Sequence, residues 1–270
     1  MFWRSHSIAI ATAVFSLISI QSQAATPRET IQLCSDNSYW FPFTLMKDYR
    51  AEGVFIDMIK EVGERTGKRI VVRPTSWSRC LRLAKQGKID GILGASYKDE
   101  RNEWMEYPAD AEKGKSEEHS MSLVDYVIAT PTKSSYVYDG KPASLPGPVR
   151  VPRSYSIADD LKKQSAPVKN RFSTDRSALV DLVRMETGSA ALMGNIAEQF
   201  QNNRFFKGKY TIQKVKLKSK NYYLTFSRKS ELPEETRIML WDALRSVRED
   251  EDLMSVFYSK YLDEAEENAS

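Results

Sequence analysis

Short apolar runs of strand length alternate along this chain with stretches whose apolar residues recur every three or four positions. Ile31 to Cys34 reads as a first strand, and Asp36 to Phe43 as an aromatic loop closed by Pro42. Gly53 to Asp57 leads into a helix on which Ile56, Ile59 and Val62 share a face, ended by Gly67. Ile70 to Val72 is a second strand. Ser76 to Gln86 places Trp77, Cys80, Leu81 and Ala84 on one helical face, and Gly87 stops it. Ile89 to Leu93, broken by Asp90 and Gly91, is a third strand. Two βαβ units in succession predict a parallel sheet with helices on its faces.

Beyond Pro108 the pattern changes. Ala111 to Ser120 is polar enough to read as a solvated insertion, and His119 within it has no partner pointing to a ligand role. Ser122 to Ala129 is a strand, and Asp139 to Pro152 is loop around a short strand at Val149 to Val151. Ser156 or Asp159 caps a helix through Leu161, and Asp175 opens a clearer one with Ala178, Leu179, Leu182 and Val183 as its apolar stripe. Ala190 to Met193 is a buried strand that meets Gly194 and Asn195. Thr211 to Leu217 and Tyr222 to Phe226 are strands that return the chain to its first half. Pro233 starts a helix buried through Ile238, Trp241, Leu244 and Val247. The last helix packs Leu253, Val256, Phe257 and Tyr261, and the acidic tail Asp263 to Ser270 frays.

The N-terminus changes the picture of where this fold works. Arg4, an apolar run from Ile8 to Ile20 and Ser22-Gln23-Ala24 have the layout of a signal peptide cleaved after Ala24. The alternative, a membrane anchor, needs roughly 20 apolar residues, more than this run has. Removal leaves about 245 residues, one large domain or two modest ones. A net charge of +4, from 40 basic and 36 acidic residues, is too even for a nucleic-acid partner. The basic run Lys214 to Lys220 alternates with Val215 and Leu217, as a strand with one solvated face does. Both cysteines, Cys34 and Cys80, lie in the exported part, where a disulfide is the default and a buried unpaired pair the alternative. Neither a metal site nor a cofactor is expected: only two histidines exist, and His6 leaves with the signal.

Candidate chemistry gathers in GKIDGILGASYKDERNEWMEYP, from Gly87 to Pro108. Ser96 and Arg101 follow its strand, where open α/β sheets meet their ligands. Arginine offers a carboxylate two parallel hydrogen bonds and keeps its charge. The competing reading is a solvated arginine among Asp99, Glu100, Glu103 and Glu106.

The stretch resembles the end of the first half-lobe in type II periplasmic solute-binding proteins, the amino-acid-binding family 3 of ABC transporters. There G-x-x-D-x-x-x-x-x-S is followed five residues later by an arginine, the spacing of Ser96 and Arg101. SYWFPF and SWSRCLRLAKQGKID are similar to a branch of that family in which both cysteines recur. The resemblance implies an α/β, two-lobed type II periplasmic binding protein fold, each lobe a mixed, mainly parallel sheet flanked by helices. Residues 25–122 would begin lobe 1, 123–218 form lobe 2, and 219–270 return to lobe 1. It implies that Ser96 and Arg101 hold the ligand's carboxylate. Asp36, Tyr39, Pro42 and Phe43 match the cleft loop D-x-x-Y-x-P-F with one extra residue, and Trp40 and Phe43 would stack on the ligand. Trp77 and Gly94 join the same ligand-binding set, and Arg153 and Tyr155 would cap it from lobe 2.

One departure bears on specificity. TGSA stands in place of the family's G-R-x-D, and Asn195 where an aspartate accepts the ligand's ammonium. An ammonium beside a neutral amide in a desolvated cleft costs on the order of 1 to 3 kcal/mol or more, which disfavours an ordinary zwitterionic amino acid. Arg153 would instead favour a second anionic group. The expected function is a monomeric periplasmic receptor that closes on a small carboxylate-bearing solute and hands it to an ABC permease. The alternatives are a sensor signalling to a membrane partner and, further off, an enzyme like the cyclohexadienyl dehydratases. For the enzyme no Ser-His-Asp set is present, and Glu186 or Asp181 would have to act from a helix face.

Overall fold

In the computed structural model, which describes Met1 and residues 30–114 and 116–267, β1 (Thr30–Asp36) is the first strand of the main sheet. A small hairpin of β2 (Leu45–Lys47) and β3 (Arg50–Glu52) follows the aromatic loop. Gly53 then opens α1 (Val54–Thr66) at a φ of 117°, with its Cα so near the aromatic loop that a Cβ would stand 2.3 Å from the Phe43 carbonyl. Only glycine fits there. Next come β4 (Arg69–Thr75), α2 (Trp77–Lys85), β5 (Gly91–Ser96), the short α3 (Asp99–Asn102) and β6 (Met105–Glu106). β1 runs parallel to β4 and β5, as the two βαβ units require. The disulfide Cys34–Cys80 ties β1 to α2 with a Cα separation of 5.9 Å.

The second half contains β7 (Ser122–Pro131), β8 (Val149–Pro152), α4 (Ser156–Lys163), β9 (Val168–Phe172), α5 (Asp175–Met185), β10 (Ser189–Met193) and α6 (Gly194–Gln201). β11 (Tyr210–Ile212), β12 (Lys218–Ser227), α7 (Glu234–Glu249) and α8 (Glu251–Glu267) complete the chain. The strand order is β4-β1-β5-β12-β7-β10-β8-β9. β7 and β12 form the seam between the two halves. Residues Lys218 to Tyr222 pair antiparallel with β7, and from Tyr222 onward β12 pairs with β5. β7 in turn pairs with β10, which runs parallel to β8. The fold is the two-lobed mixed α/β architecture expected from the sequence.

Several expectations are corrected. The predicted strand Thr211 to Leu217 is only β11, which ends at Ile212; the Gln213 amide still donates to the Ile128 carbonyl at 2.8 Å, and its side chain bonds Thr130 and Tyr138. The following strand instead begins at Lys218. α7 buries Leu240, Trp241, Leu244 and Val247, a stripe that leaves Ile238 outside, and Pro233 precedes the helix instead of sitting in it. Val256 of α8 is likewise exposed. The helix runs on through residues 263–267, where a frayed tail was expected. Asp57 on α1 accepts hydrogen bonds from Tyr261 at 2.6 Å and Lys260 at 2.7 Å, which fastens α8 to the first lobe. His119 is not partnerless: Nδ1 meets Asp110 at 2.7 Å and Nε2 meets Asp242 on α7 at 3.1 Å. Glu118 completes a group with Asp110 and His119, and Arg245 of α7 engages it. This network pins the charged loop to α7. The signal segment predicted for residues 1–24 lies, after Met1, outside the described residues, and no described helix is long and apolar enough to cross a membrane.

Candidate functional site

The carboxyl end of β5 delivers Gly94 and Ser96 to the junction between the two halves. Gly94 has a φ of 75°, and a Cβ on it would stand 3.1 Å from both Phe55 and Trp40. Five residues on, the turn of α3 brings Arg101 back under Ser96. Its Nη1 donates to the Ser96 carbonyl at 3.0 Å and its guanidinium lies 5.2 Å from the Trp77 ring centre. Arg101 is 3% exposed, and no carboxylate among the described residues pairs with it. A buried guanidinium served by carbonyls, the Tyr107 hydroxyl and an aromatic face is a cation lacking its counter-charge.

From the second half, the turn before α4 closes onto this cation. Ser154, at a φ of 65°, presents its carbonyl to Arg101 Nη2 at 2.6 Å and to Trp77 Nε1 at 3.2 Å. Ser156 Oγ meets Ser96 Oγ at 2.8 Å. Asn195 donates to the Phe41 carbonyl, and Gln199 to the Tyr39 hydroxyl. Direct contacts thus close the cleft, leaving a cavity of about 20 Å³. That holds a water or two. Asp36, Trp40, Trp77, Arg101, Tyr155 and Tyr222 are among its walls.

Acids stand opposite the arginine. Burial raises Asp36 above the usual carboxylate range, against hydrogen bonds from Ser38 that pull it down. Asp175 lies at the first turn of α5, which Thr174 caps through the Ser177 amide. It accepts from the Met193 amide at 3.3 Å and pairs with the Tyr155 hydroxyl. Burial, with the Asp36 charge adding to it, pushes Asp175 up to about 7. Tyr126 and Tyr222, joined hydroxyl to hydroxyl at 2.8 Å, stand between the acids and the arginine side. The cavity is therefore walled by a buried cation, Arg101, and a buried acid, Asp36, with Asp175 paired to the Tyr155 hydroxyl.

Of the residues expected from the sequence, Asp36, Trp40, Trp77, Gly94, Ser96, Arg101 and Tyr155 come together around this cavity. Phe43 supports it from behind, 5.2 Å from Trp40 and stacked on Phe55. Tyr39 is half-exposed and stacks on Phe41 and Phe200 at the rim. Two of the residues expected there stand elsewhere. Arg153 is exposed and does not line the cavity, because the left-handed turn at Ser154 presents a backbone carbonyl there instead. Asn195 binds the opposite loop and is not among the cavity walls. Asp175, Tyr126, Tyr222 and Met193 were missed. An aspartate opening a helix carries no mark in sequence of the strand end it will face. Asp181 pairs with the buried Arg150 at 2.6 Å and Glu186 with exposed Lys133 at 2.9 Å, and neither lines the cavity.

Comparison with known proteins agrees with this architecture. The family described as "Bacterial extracellular solute-binding proteins, family 3" matches residues 31–255. No curated protein matches the chain in sequence. Among solved structures, an ancestral arginine-binding protein bound to arginine is similar, with a TM-score of 0.69 and 16% identity over 87% of this chain and 99% of that one. A histidine kinase sensor domain with similarity to periplasmic binding proteins has a TM-score of 0.69 and 15% identity over 86% and 96%. The arginine-, lysine-, histidine-binding protein ArtJ from the thermophilic bacterium Geobacillus stearothermophilus has a TM-score of 0.68 and 16% identity over 86% and 95%. At such identities the likeness is one of fold.

Proposed function

The chain belongs to family 3 of the bacterial extracellular solute-binding proteins, and from that premise we propose that it captures a small solute carrying both a carboxylate and a cationic group. The observation that carries the reading is Arg101, buried at the meeting of the two halves without an acidic partner among the described residues. A ligand carboxylate replaces the Ser154 carbonyl on Arg101 and accepts from Ser96, gaining charge-assisted hydrogen bonds. Asp36, backed by Asp175 through Tyr155, receives the cation. Asp36, a wall of the cavity, thus offers the negative charge that Asn195 does not. This restores a zwitterionic amino acid as the ligand class, in line with the amino acids named for the solved relatives.

In this reading residues 25–122 and 219–270 form one lobe and 123–218 the other, with β7 and β12 as the hinge. A ligand touching both lobes favours the closed form, since it has more contacts there. The exported, monomeric protein presents that closed form to an ABC permease. We favour a receptor over an enzyme because the acids proposed for catalysis, Asp181 and Glu186, are engaged elsewhere.

A thermal-shift screen of residues 25–270 against amino acids, dicarboxylates, aromatic acids and oligosaccharides tests this. A zwitterion at a hundredfold excess over its dissociation constant adds about 2.7 kcal/mol of stability. Recovery of that compound unchanged supports capture. A shift confined to oligosaccharides, or turnover of the bound compound, contradicts it.

A further inference from the structure

Next to the buried cavity lies a second, larger one of about 680 Å³, and the two share Ser96 and Ser156 as walls. The Ser96–Ser156 contact lies where the arginine end of the cleft meets this basin. Lys220 of β12 stands at that partition. Its side chain is 9% exposed, and Nζ donates to Ser156 Oγ at 2.7 Å. The basic run Lys214 to Lys220 reads in sequence as a solvated face, but its last member turns inward to the partition.

The charge around Lys220 does not cancel. Asp160 on α4 is its only carboxylate partner among the described residues, at 2.7 Å, and the same oxygen accepts from Lys218 at 3.0 Å. One carboxylate between two ammonium groups leaves a positive charge over. Arg101, on the other side of the serine pair, adds a second, near enough to repel Lys220. Lys98 lies between two carboxylates, Glu100 and Asp159, each at 2.6 Å, and Asp99, Lys162 and Lys163 complete the charged wall of the basin. Two cations thus flank the serine pair, Arg101 in the cleft and, facing the basin, Lys220, which shares its one carboxylate with Lys218. A single carboxylate on Arg101 answers only the first.

Building on the reading of the cleft given above, we propose that Lys220 binds a second anionic group of the ligand, and that the solute is an amino acid with an acidic side chain reaching past the serine pair. The role assigned in sequence to Arg153 passes to Lys220. Burial holds the Lys220 ammonium down to about 8, still largely charged at neutral pH.

Isothermal titration of L-glutamate, L-glutamine and L-arginine into residues 25–270, and into the Lys220→Met, Lys220→Arg and Arg101→Ala variants, tests this. The protein is expected to prefer glutamate over glutamine by about tenfold or more, since a side-chain charge would be paired only in glutamate. Lys220→Met should collapse that ratio to within about threefold and Lys220→Arg should restore most of it. A lysine that only braces the closed form would weaken all three ligands alike, and an unchanged ratio in Lys220→Met overturns the proposal. So does tighter binding of glutamine or arginine that Arg101→Ala abolishes, which leaves the cleft reading intact. No binding of any of the three overturns both.

Discussion

Ser96 and Ser156 meet hydroxyl to hydroxyl at 2.8 Å across the junction of the two halves, so the strand end that carries the site in one half is also a latch to the other. Ser156 keeps Lys220 as a partner if Ser96 is lost. Ser96→Ala should remove about 0.5 to 1.5 kcal/mol from the closed form. Small-angle scattering on protein without added ligand should report a larger radius of gyration for the variant. An unchanged radius would mean that the latch does not set closure.

Acidity at the far end of the cleft gives a pH dependence. Asp175 has an unfolded value of 3.8 and a folded one of about 7, with Asp36, Tyr126, Tyr155 and Tyr222 facing it from β1, β7, the turn before α4 and β12. Between those values the folded chain keeps a proton that the unfolded chain has lost, so this group's contribution falls as pH rises from about 4 to about 7. Asp36, raised in the same direction, adds to the fall. Thermal unfolding at pH 5 and pH 7.5 should show Asp175→Asn gaining stability relative to the parent at the higher pH. Equal differences at both pH values would refute the assignment.

The disulfide spans 46 residues and joins β1 to the helix carrying Trp77. Closing a loop of that length contributes about 4 kcal/mol in the chain-entropy treatment. Cys34→Ala with Cys80→Ala should therefore lower the melting temperature by roughly 8 to 16 °C. A loss of only a degree or two would show that α2 is held by packing alone.

Gly94 combines a positive φ with ring contacts on both sides. Gly94→Ala should destabilise the protein by about 1 to 3 kcal/mol and weaken ligand binding through the displaced Trp40. Urea unfolding and titration of the same variant check both parts, and a variant matching the parent in both would contradict the packing described.

The legible part of this molecule was local in sequence. The strand ending at Ser96, the arginine five residues later and the aromatic loop after β1 each declare themselves by short-range spacing, and the structure brings them to one cavity. What escaped depends on contacts between distant segments. Asp175 is set by the packing of α5 against the end of β10, and Tyr222 by the seam of β12 with β7. Arg153 stands outside the cavity because one left-handed residue, Ser154, decides which group of its loop enters the cleft. Periodicity misplaced Ile238 and Val256 for a simpler reason: a neighbouring apolar residue, Leu240 in α7 and Met254 in α8, takes the buried position.

The central claim, that Arg101 holds the solute's carboxylate, is tested most directly by titrating the strongest ligand from the thermal screen into the parent protein and Arg101→Ala. Loss of a buried, charge-assisted pair should weaken binding by about a hundredfold or more. The melting temperature without ligand should stay within a few degrees, since the guanidinium has no acidic partner to leave behind. Binding within about threefold of the parent would contradict the account.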